Sequence, residues 1–301
     1  MRAIARLGTL LGIVLSFATL VCPASVHAQS GVKVELDEVV DNRVDAGEWH
    51  GQLELRVKLQ GGAVLEKANA ARIVVKEARD DRGTVLSEGA KPPDFMPRDY
   101  NMGTLQVSVA TPARAASSVK IKGTVELFVP SRDPNAVVKI DKALSKLDAP
   151  LSSKALKAAK VTITPLSPAG YAASKKANKL DDKKIAEIRA EGKKQGVPEK
   201  EIELAIELAK AFENIDGDTP EGSVILSGSK SDFDRIFRIE ILGADGKPIN
   251  TGSRSTSTRG ESTVMTIQPS EPPPPNAALE IYLLTDKSRV TSPFELNVTL
   301  P

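Results

Sequence analysis

The chain has 301 residues, with 41 basic and 39 acidic side chains, and only 4% of its residues are aromatic. Residues 1–28 contain two arginines and no acid, so the remainder of the chain is formally neutral. A neutral chain has no basic excess with which to hold a phosphate backbone. Nucleic acid is therefore not expected as a partner.

Residues 1–28 have the pattern of a secretory signal peptide. Arg2 and Arg6 give a positive start, residues 7–21 form an uncharged apolar run, and residues 26–28 fit a cleavage site. Cys22 opens the alternative of a lipoprotein, although the residue before it is larger than acylation prefers. No later stretch approaches the length of a membrane-spanning helix. The sequence thus predicts an exported protein, periplasmic or extracellular, with no transmembrane segment after signal removal.

Side chains that carry chemistry are scarce after residue 28, where no cysteine remains and His50 is the one histidine. Zinc sites need clusters of such residues, and neither a nucleophile motif nor a phosphate-cradling glycine loop occurs. The sequence predicts no enzyme, no cofactor, and no catalytic or metal-binding residue. Calcium needs only oxygen ligands, so residues 214–218 leave it open as an alternative ligand. A helix-capping turn explains that segment equally well.

Two windows of the chain follow the same plan. Each has a strand that ends in glycine, a turn, a longer strand beginning at an Arg-Ile pair, and a glycine-containing turn. The windows are 57–86, with Arg72-Ile73, and 224–249, with Arg235-Ile236. Their spacing from the Arg-Ile pair onward is the same. This pattern favours a duplicated unit.

The flanking segments extend the match between the two halves. The paired segments are 32–36 with 161–163, 105–109 with 264–267, 121–129 with 279–284, and the closing segments 137–140 with 294–300. Short alternating strands separated by glycine and proline turns are typical of a sandwich. The predicted fold is mainly β, with two tandem Ig-like β-sandwich domains at 31–150 and 151–301. The second domain carries an inserted α-helical hairpin at about 172–216.

The predicted hairpin has clear boundaries. Gly196 ends its first helix, and Pro198 opens a second one with acids in its first turn. The second helix has a wide apolar stripe, which packs on the sandwich and the first helix or serves in part as a docking surface for another protein. The candidate docking residues are Ile202, Leu204, Leu208 and Phe212.

Carbohydrate binding is a further candidate function, because sugars stack on exposed aromatic rings. Trp49 and Tyr100 lie in predicted loops of the first half and could form a small glycan platform. A sandwich also uses its lone tryptophan for packing, and that alternative stays open.

The alternating strands, the duplication and the leader together make the chain resemble bacterial exported proteins built from immunoglobulin-like repeats. The resemblance covers residues 31–301 apart from the helical insert, and it carries over no functional residue. It implies a non-catalytic binding or structural module of the cell envelope, contacting an unknown envelope or extracellular protein through strand edges or the hairpin. The alternatives are a glycan- or calcium-binding module and a periplasmic chaperone-like protein. The latter predicts a basic anchor in the interdomain cleft, and the sequence identifies none.

Overall fold

The computed structural model of the protein describes residues 31–42, 51–88, 92–100, 102–177, 182–215, 221–259 and 261–301. The predicted signal peptide, residues 1–28, lies outside these residues. Within the described ranges, no helix combines the length and the apolar character that a membrane crossing requires.

The described chain contains fifteen strands, six α-helices and three short 3-10 helices at Arg98–Tyr100, Pro130–Arg132 and Ala143–Ser145. The strands are β1 (Lys33–Asn42), β2 (Gln52–Gln60), β3 (Ala70–Asp80), β4 (Val85–Glu88), β5 (Met96–Pro97), β6 (Thr104–Ala110), β7 (Ser118–Phe128), β8 (Val137–Ile140), β9 (Thr164–Leu166), β10 (Val224–Ser229), β11 (Ile236–Leu242), β12 (Thr251–Arg259), β13 (Ser262–Pro269), β14 (Ala278–Leu283) and β15 (Arg289–Thr299). The helices are α1 (Ala63–Glu66), α2 (Lys154–Ala159), α3 (Pro168–Ala177), α4 (Asp182–Lys194), α5 (Glu199–Ile215) and α6 (Lys230–Phe233).

The strands form four antiparallel sheets that enclose two hydrophobic cores. The first core lies between the sheet β1-β2-β6 and the sheet β15-β7-β3-β4. The second core lies between β12-β13-β10-β9 and β11-β14-β8. The prediction of a mainly β protein is therefore confirmed.

Strand β2 shows why these segments fold as they do. Leu53, Leu55, Val57 and Leu59 are buried in the first core, and the residues between them are more exposed. Successive side chains of a strand point to opposite faces, so this alternation fixes which face of β2 is buried. Burying a leucine or valine side chain contributes about 1.5–3 kcal/mol relative to leaving it in water.

The two closing strands pair differently from the prediction. Strand β8, expected to close the first half, pairs with β14 around the second core. Strand β15, expected to close the second half, pairs with β7 around the first core. The second core is thus built from one continuous stretch of chain, and the first core from two stretches that flank it. The assignment of segments 137–140 and 294–300 is corrected accordingly.

Strand length explains this exchange. Strands β7 and β15 both have eleven residues and pair from Ser118 with Thr299 to Phe128 with Arg289. Strand β8 has only four residues, so in the place of β15 it would leave most of the β7 edge that faces away from β3 without backbone partners. The pairing is also specific at Gly123, where an added Cβ would come within 2.8 Å of the Phe294 ring.

The chain crosses between the two cores at two linkers, 129–136 and 284–288, which are bound to each other. The backbone N–H of Val129 donates to the carbonyl of Ser288 (2.7 Å), and the N–H of Leu283 donates to Ala136 (2.8 Å). The Thr285 hydroxyl donates to Asp133 (2.7 Å), whose carboxylate also accepts from the backbone N–H of Asn135. Asp133 is buried, so these hydrogen bonds hold a charge that water does not reach freely.

Asp133 is expected to make stability depend on pH in the acid range. The hydrogen bond from Thr285, followed by those from Asn135, lowers the pKa of Asp133 below its usual value of 3.8. A carboxylate with a lowered folded-state pKa stabilises the fold above its unfolded pKa, and this contribution disappears as the pH falls through the folded pKa. At neutral pH we expect D133N to be destabilised by about 1–2 kcal/mol, since a hydrogen-bonded charge is lost.

Urea titrations of wild type and D133N at neutral pH and at about pH 2 measure this effect, because the difference between the two should shrink on acidification. D141N is the control, since the Asp141 side chain is largely exposed. A difference that grows on acidification would contradict this role of Asp133.

Candidate functional site

Helices α4 and α5 lie in the segment of the predicted hairpin, and they pack against each other. Ile185 of α4 and Ile202 and Ile206 of α5 are buried in a small cluster, with Val197 packed on its edge. This cluster is separate from the two cores between the sheets. Within the described chain, the buried face of α5 is therefore covered by α4.

Local chemistry sets the antiparallel arrangement of the two helices. Gly196 has a φ of 75° after the end of α4, a left-handed conformation that glycine adopts without strain. Gly192 lets the helices approach closely, because an added Cβ would come within 2.6 Å of the Ile202 side chain. Arg189 donates to both carboxylate oxygens of Glu203, at 2.6 and 2.9 Å. This pair is exposed and contributes orientation more than stability.

The opposite face of α5 is exposed. Leu204 and Leu208 are 56% and 49% exposed, although leucine side chains are usually buried. They are one helical turn apart, so they lie on one face. Glu201 and Glu207, both exposed, lie on either side of this pair, and exposed Lys200 lies at its end. We call Leu204, Leu208 and these three charged residues the outer face of α5; its rim is net acidic.

The structure separates the four candidate docking residues. Leu204 and Leu208 are on the outer face, but Ile202 is only 4% exposed and is occupied by the contact with α4. The prediction that Ile202 is part of a docking surface is wrong, because the wide stripe is two apolar faces and one of them meets α4. The side chain of Phe212 lies outside the described part of the structure.

The other candidate sites fall largely outside the described residues. Trp49 is outside them, and Tyr100 is described only by its backbone, so the glycan platform stays a prediction. Residues 216–218 of the calcium candidate are also outside. Among the described residues, no three His, Cys, Asp or Glu side chains form a group that could hold a metal ion.

A groove that the sequence did not predict lies where the two cores meet. Its two compartments have volumes of about 550 Å³ and 480 Å³ and share Arg72, Asp234 and Leu284 in their walls. We call these compartments the charged end and the aromatic end of the junction groove. Volumes of this size fall in the range of about 300–1,000 Å³ that is typical of small-molecule sites.

Five basic and three acidic residues line the charged end of the groove. Arg235 donates to the carbonyls of Ala159 (2.8 Å) and Lys160 (3.1 Å), which fixes its guanidinium beside Lys160 at the end of α2. Arg289 pairs with Asp286 at 2.8 Å. Lys287 lies close enough to Asp133 to help lower the pKa of that carboxyl. The charge at this end is therefore net positive.

Three phenylalanines line the aromatic end. The rings of Phe95 and Phe237 meet edge to face, with centroids 6.3 Å apart, and Phe233 forms another part of the wall. Arg72 stacks on Phe95, its guanidinium carbon 4.3 Å from the ring centroid. Two nitrogens of Arg72 also donate to Glu126, so its charge is neutralised within the wall.

The chain finds no match among protein-family models, curated proteins or solved structures. Functional inference therefore rests on geometry and chemistry. Arg72 and Arg235, the arginines of the two matched windows, both line the groove, and they are its one partial signal in the sequence. Its other residues come from segments up to two hundred positions apart, and no local pattern connects them.

Proposed function

We propose that the protein is an exported, non-catalytic binding module of the bacterial cell envelope that docks a basic amphipathic helix of another protein on the outer face of α5. The main support for this proposal is that Leu204 and Leu208 are exposed to solvent. An apolar pair bordered by acids complements a helix with an apolar stripe and flanking Lys or Arg side chains. Export is supported by the leader pattern at residues 1–28.

We further propose that the scaffold is a pair of Ig-like sandwiches, the second carrying α3, α4 and α5 as an insertion. The strand orders support this. The sheets β1-β2-β6 and β9-β10-β13 can be matched strand for strand, and so can β15-β7-β3 and β8-β14-β11. Both pairs follow the division of strands between two sheets that immunoglobulin sandwiches use. In this arrangement the insertion leaves from the short strand β9 and returns to β10, so it can present a partner surface without disturbing either core.

The proposal predicts that polar substitution on the outer face abolishes partner recovery. Affinity capture from an envelope extract compares wild type with the double variant L204Q/L208Q. Each buried leucine contributes about 1.5–3 kcal/mol, so the loss should exceed tenfold. The matched control is L147Q, because Leu147 is also a largely exposed leucine, 42%, but lies outside α5.

Recovery is quantified by mass spectrometry, after circular dichroism has shown that all variants keep the wild-type spectrum. Proteins retained by wild type and L147Q but lost with L204Q/L208Q support the proposal. The charge reversal E201K/E207K should weaken the same interactions, since it removes the acidic rim. Equal recovery by wild type and L204Q/L208Q would exclude the outer face of α5 as the docking site.

A further inference from the structure

The junction groove combines two chemistries that the outer face of α5 does not have. One end holds basic side chains around a polar mouth, and the other is lined by aromatic rings. Ligand sites typically pair an apolar wall with a few polar groups that fix orientation. We propose that this groove binds a small amphipathic anion, with its headgroup at the charged end and its apolar body at the aromatic end.

The position of the ligand headgroup can be inferred from the basic side chains of the charged end that are not paired with a carboxylate. Arg72 is held by Glu126 and Arg289 by Asp286. Lys160 forms no ion pair within the described chain. Arg235 beside it donates hydrogen bonds to carbonyl oxygens, and the nearby carboxylate of Asp232 accepts hydrogen bonds from Ser229 and Thr162. An anion between Lys160 and Arg235 would therefore find two charges without a competing carboxylate bond. Lys287, in the linker 284–288, lines the same compartment.

The apolar body follows from the aromatic end. Phe95, Phe233 and Phe237 are partly buried, and each is packed against one of the hydrophobic clusters, so their rings form a fixed wall. Leu284 is the apolar residue that lines both compartments, beside Arg72 and Asp234. An alkyl chain or ring entering here would remove apolar surface from water on both partners.

The same ligand chemistry can come from a carboxylate or from a phosphate monoester. Isothermal titration calorimetry with decanoate, decyl phosphate, decanol and acetate, all below micelle-forming concentrations, separates the contributions of headgroup and tail. We expect both amphipathic anions to bind with one site per chain and decanol and acetate to bind at least tenfold more weakly. The tighter of the two anions identifies the headgroup class.

The length of the ligand's alkyl chain provides a second test. Each buried methylene should increase affinity about fourfold from hexanoate to decanoate, until the aromatic end is filled. The variant K160N/K287Q removes the headgroup charges. Asparagine suits position 160, where φ is 53°. Decanoate affinity should fall at least tenfold, and decanol affinity should not change.

The matched control is K183Q/K194Q, which removes two exposed charges from the surface of α4, outside both the groove and the outer face of α5. It should bind decanoate as wild type does. Three results would each overturn the proposal: no saturable binding of either amphipathic anion, equal binding of decanol and decanoate, or equal loss of affinity in both double variants. The L204Q/L208Q variant should keep decanoate binding, so failure of the groove and failure of the α5 docking surface can be told apart.

Discussion

Replacing Val298 with aspartate is expected to unfold the first core and to leave the second core protected. Val298 has no exposed surface and lies in the first core, opposite Val119 of β7. Burying an unpaired carboxylate there costs several kcal/mol even after relaxation. That is a large part of the stability of about 5–15 kcal/mol that is typical of a folded domain.

The second core should survive because its strands come from one continuous stretch, β8 to β14. Hydrogen exchange measured by mass spectrometry resolves the two cores. In V298D we expect amides of β2 and β6 to lose protection and amides of β10 and β13 to keep it. The matched control is T299D, since the neighbouring Thr299 is exposed, and it should exchange like wild type.

The opposite pattern would contradict the strand pairing. If β15 closed the second half, as the sequence favoured, V298D would expose β10 and β13 and spare β2 and β6. A second substitution tests the same pairing through β7, the partner of β15. G123A places a methyl group against the Phe294 ring and the Val74 carbonyl, so it too should destabilise the first core alone.

Most of the strands were predictable from sequence, whereas their partners were not. Two predictions failed locally, because β12 was not predicted and the strand expected at 161–163 is β9, at Thr164–Leu166. The alternation of Leu53, Leu55 and Val57 is a local property and appears directly in the sequence. Pairing of β15 with β7 joins residues more than 150 positions apart, and it depends on matching two strands of eleven residues. The lengths of the strands at 137–140 and 289–299 favour this pairing, because only the longer one matches β7. The duplicated pattern instead suggested that the last strand of each half pairs within its own half.

The hairpin shows a similar division. Gly196 and Pro198 lie between the end of α4 and the start of α5, where both act on the local backbone. Which apolar residues face α4 depends on how the two helices rotate against each other. Periodicity places Ile202 and Leu204 on opposite faces of α5 but does not show which of the two faces meets α4. The close approach of Gly192 to Ile202 shows that the Ile202 face does.

The junction groove was beyond the reach of sequence patterns. Its walls combine the strand β3, the segment before β5, the end of α2 and the linker 284–288. These elements meet only because the chain crosses twice between the cores. A groove that depends on the crossing also depends on the residues that keep the two cores in place. Phe128 is the largest fully buried side chain among them.

Replacing Phe128 with alanine is expected to loosen the junction between the cores. Phe128 has no exposed surface and points away from the first core, on the opposite face of β7 from Leu127. Its ring centroid is 5.0 Å from that of Phe237 on β11, and Ala70 and Ala136 complete the contact. Removing a buried phenylalanine side chain costs about 3–5 kcal/mol, since it leaves a cavity as well as lost burial.

The matched control is L127A, which removes a buried side chain from the same strand but from inside the first core. Both variants should lower the midpoint of denaturant unfolding without changing the dependence of the unfolding free energy on denaturant concentration. Of these two variants, only F128A should speed hydrogen exchange in β11 and in the linkers 129–136 and 284–288. The reason is that Phe128 contacts Phe237 of β11, whereas Leu127 packs inside the first core. The same variant should weaken decanoate binding in the groove, since Phe237 loses the ring that supports it. Equal exchange profiles for F128A and L127A would mean that the hydrogen bonds between the linkers hold the junction without this aromatic contact.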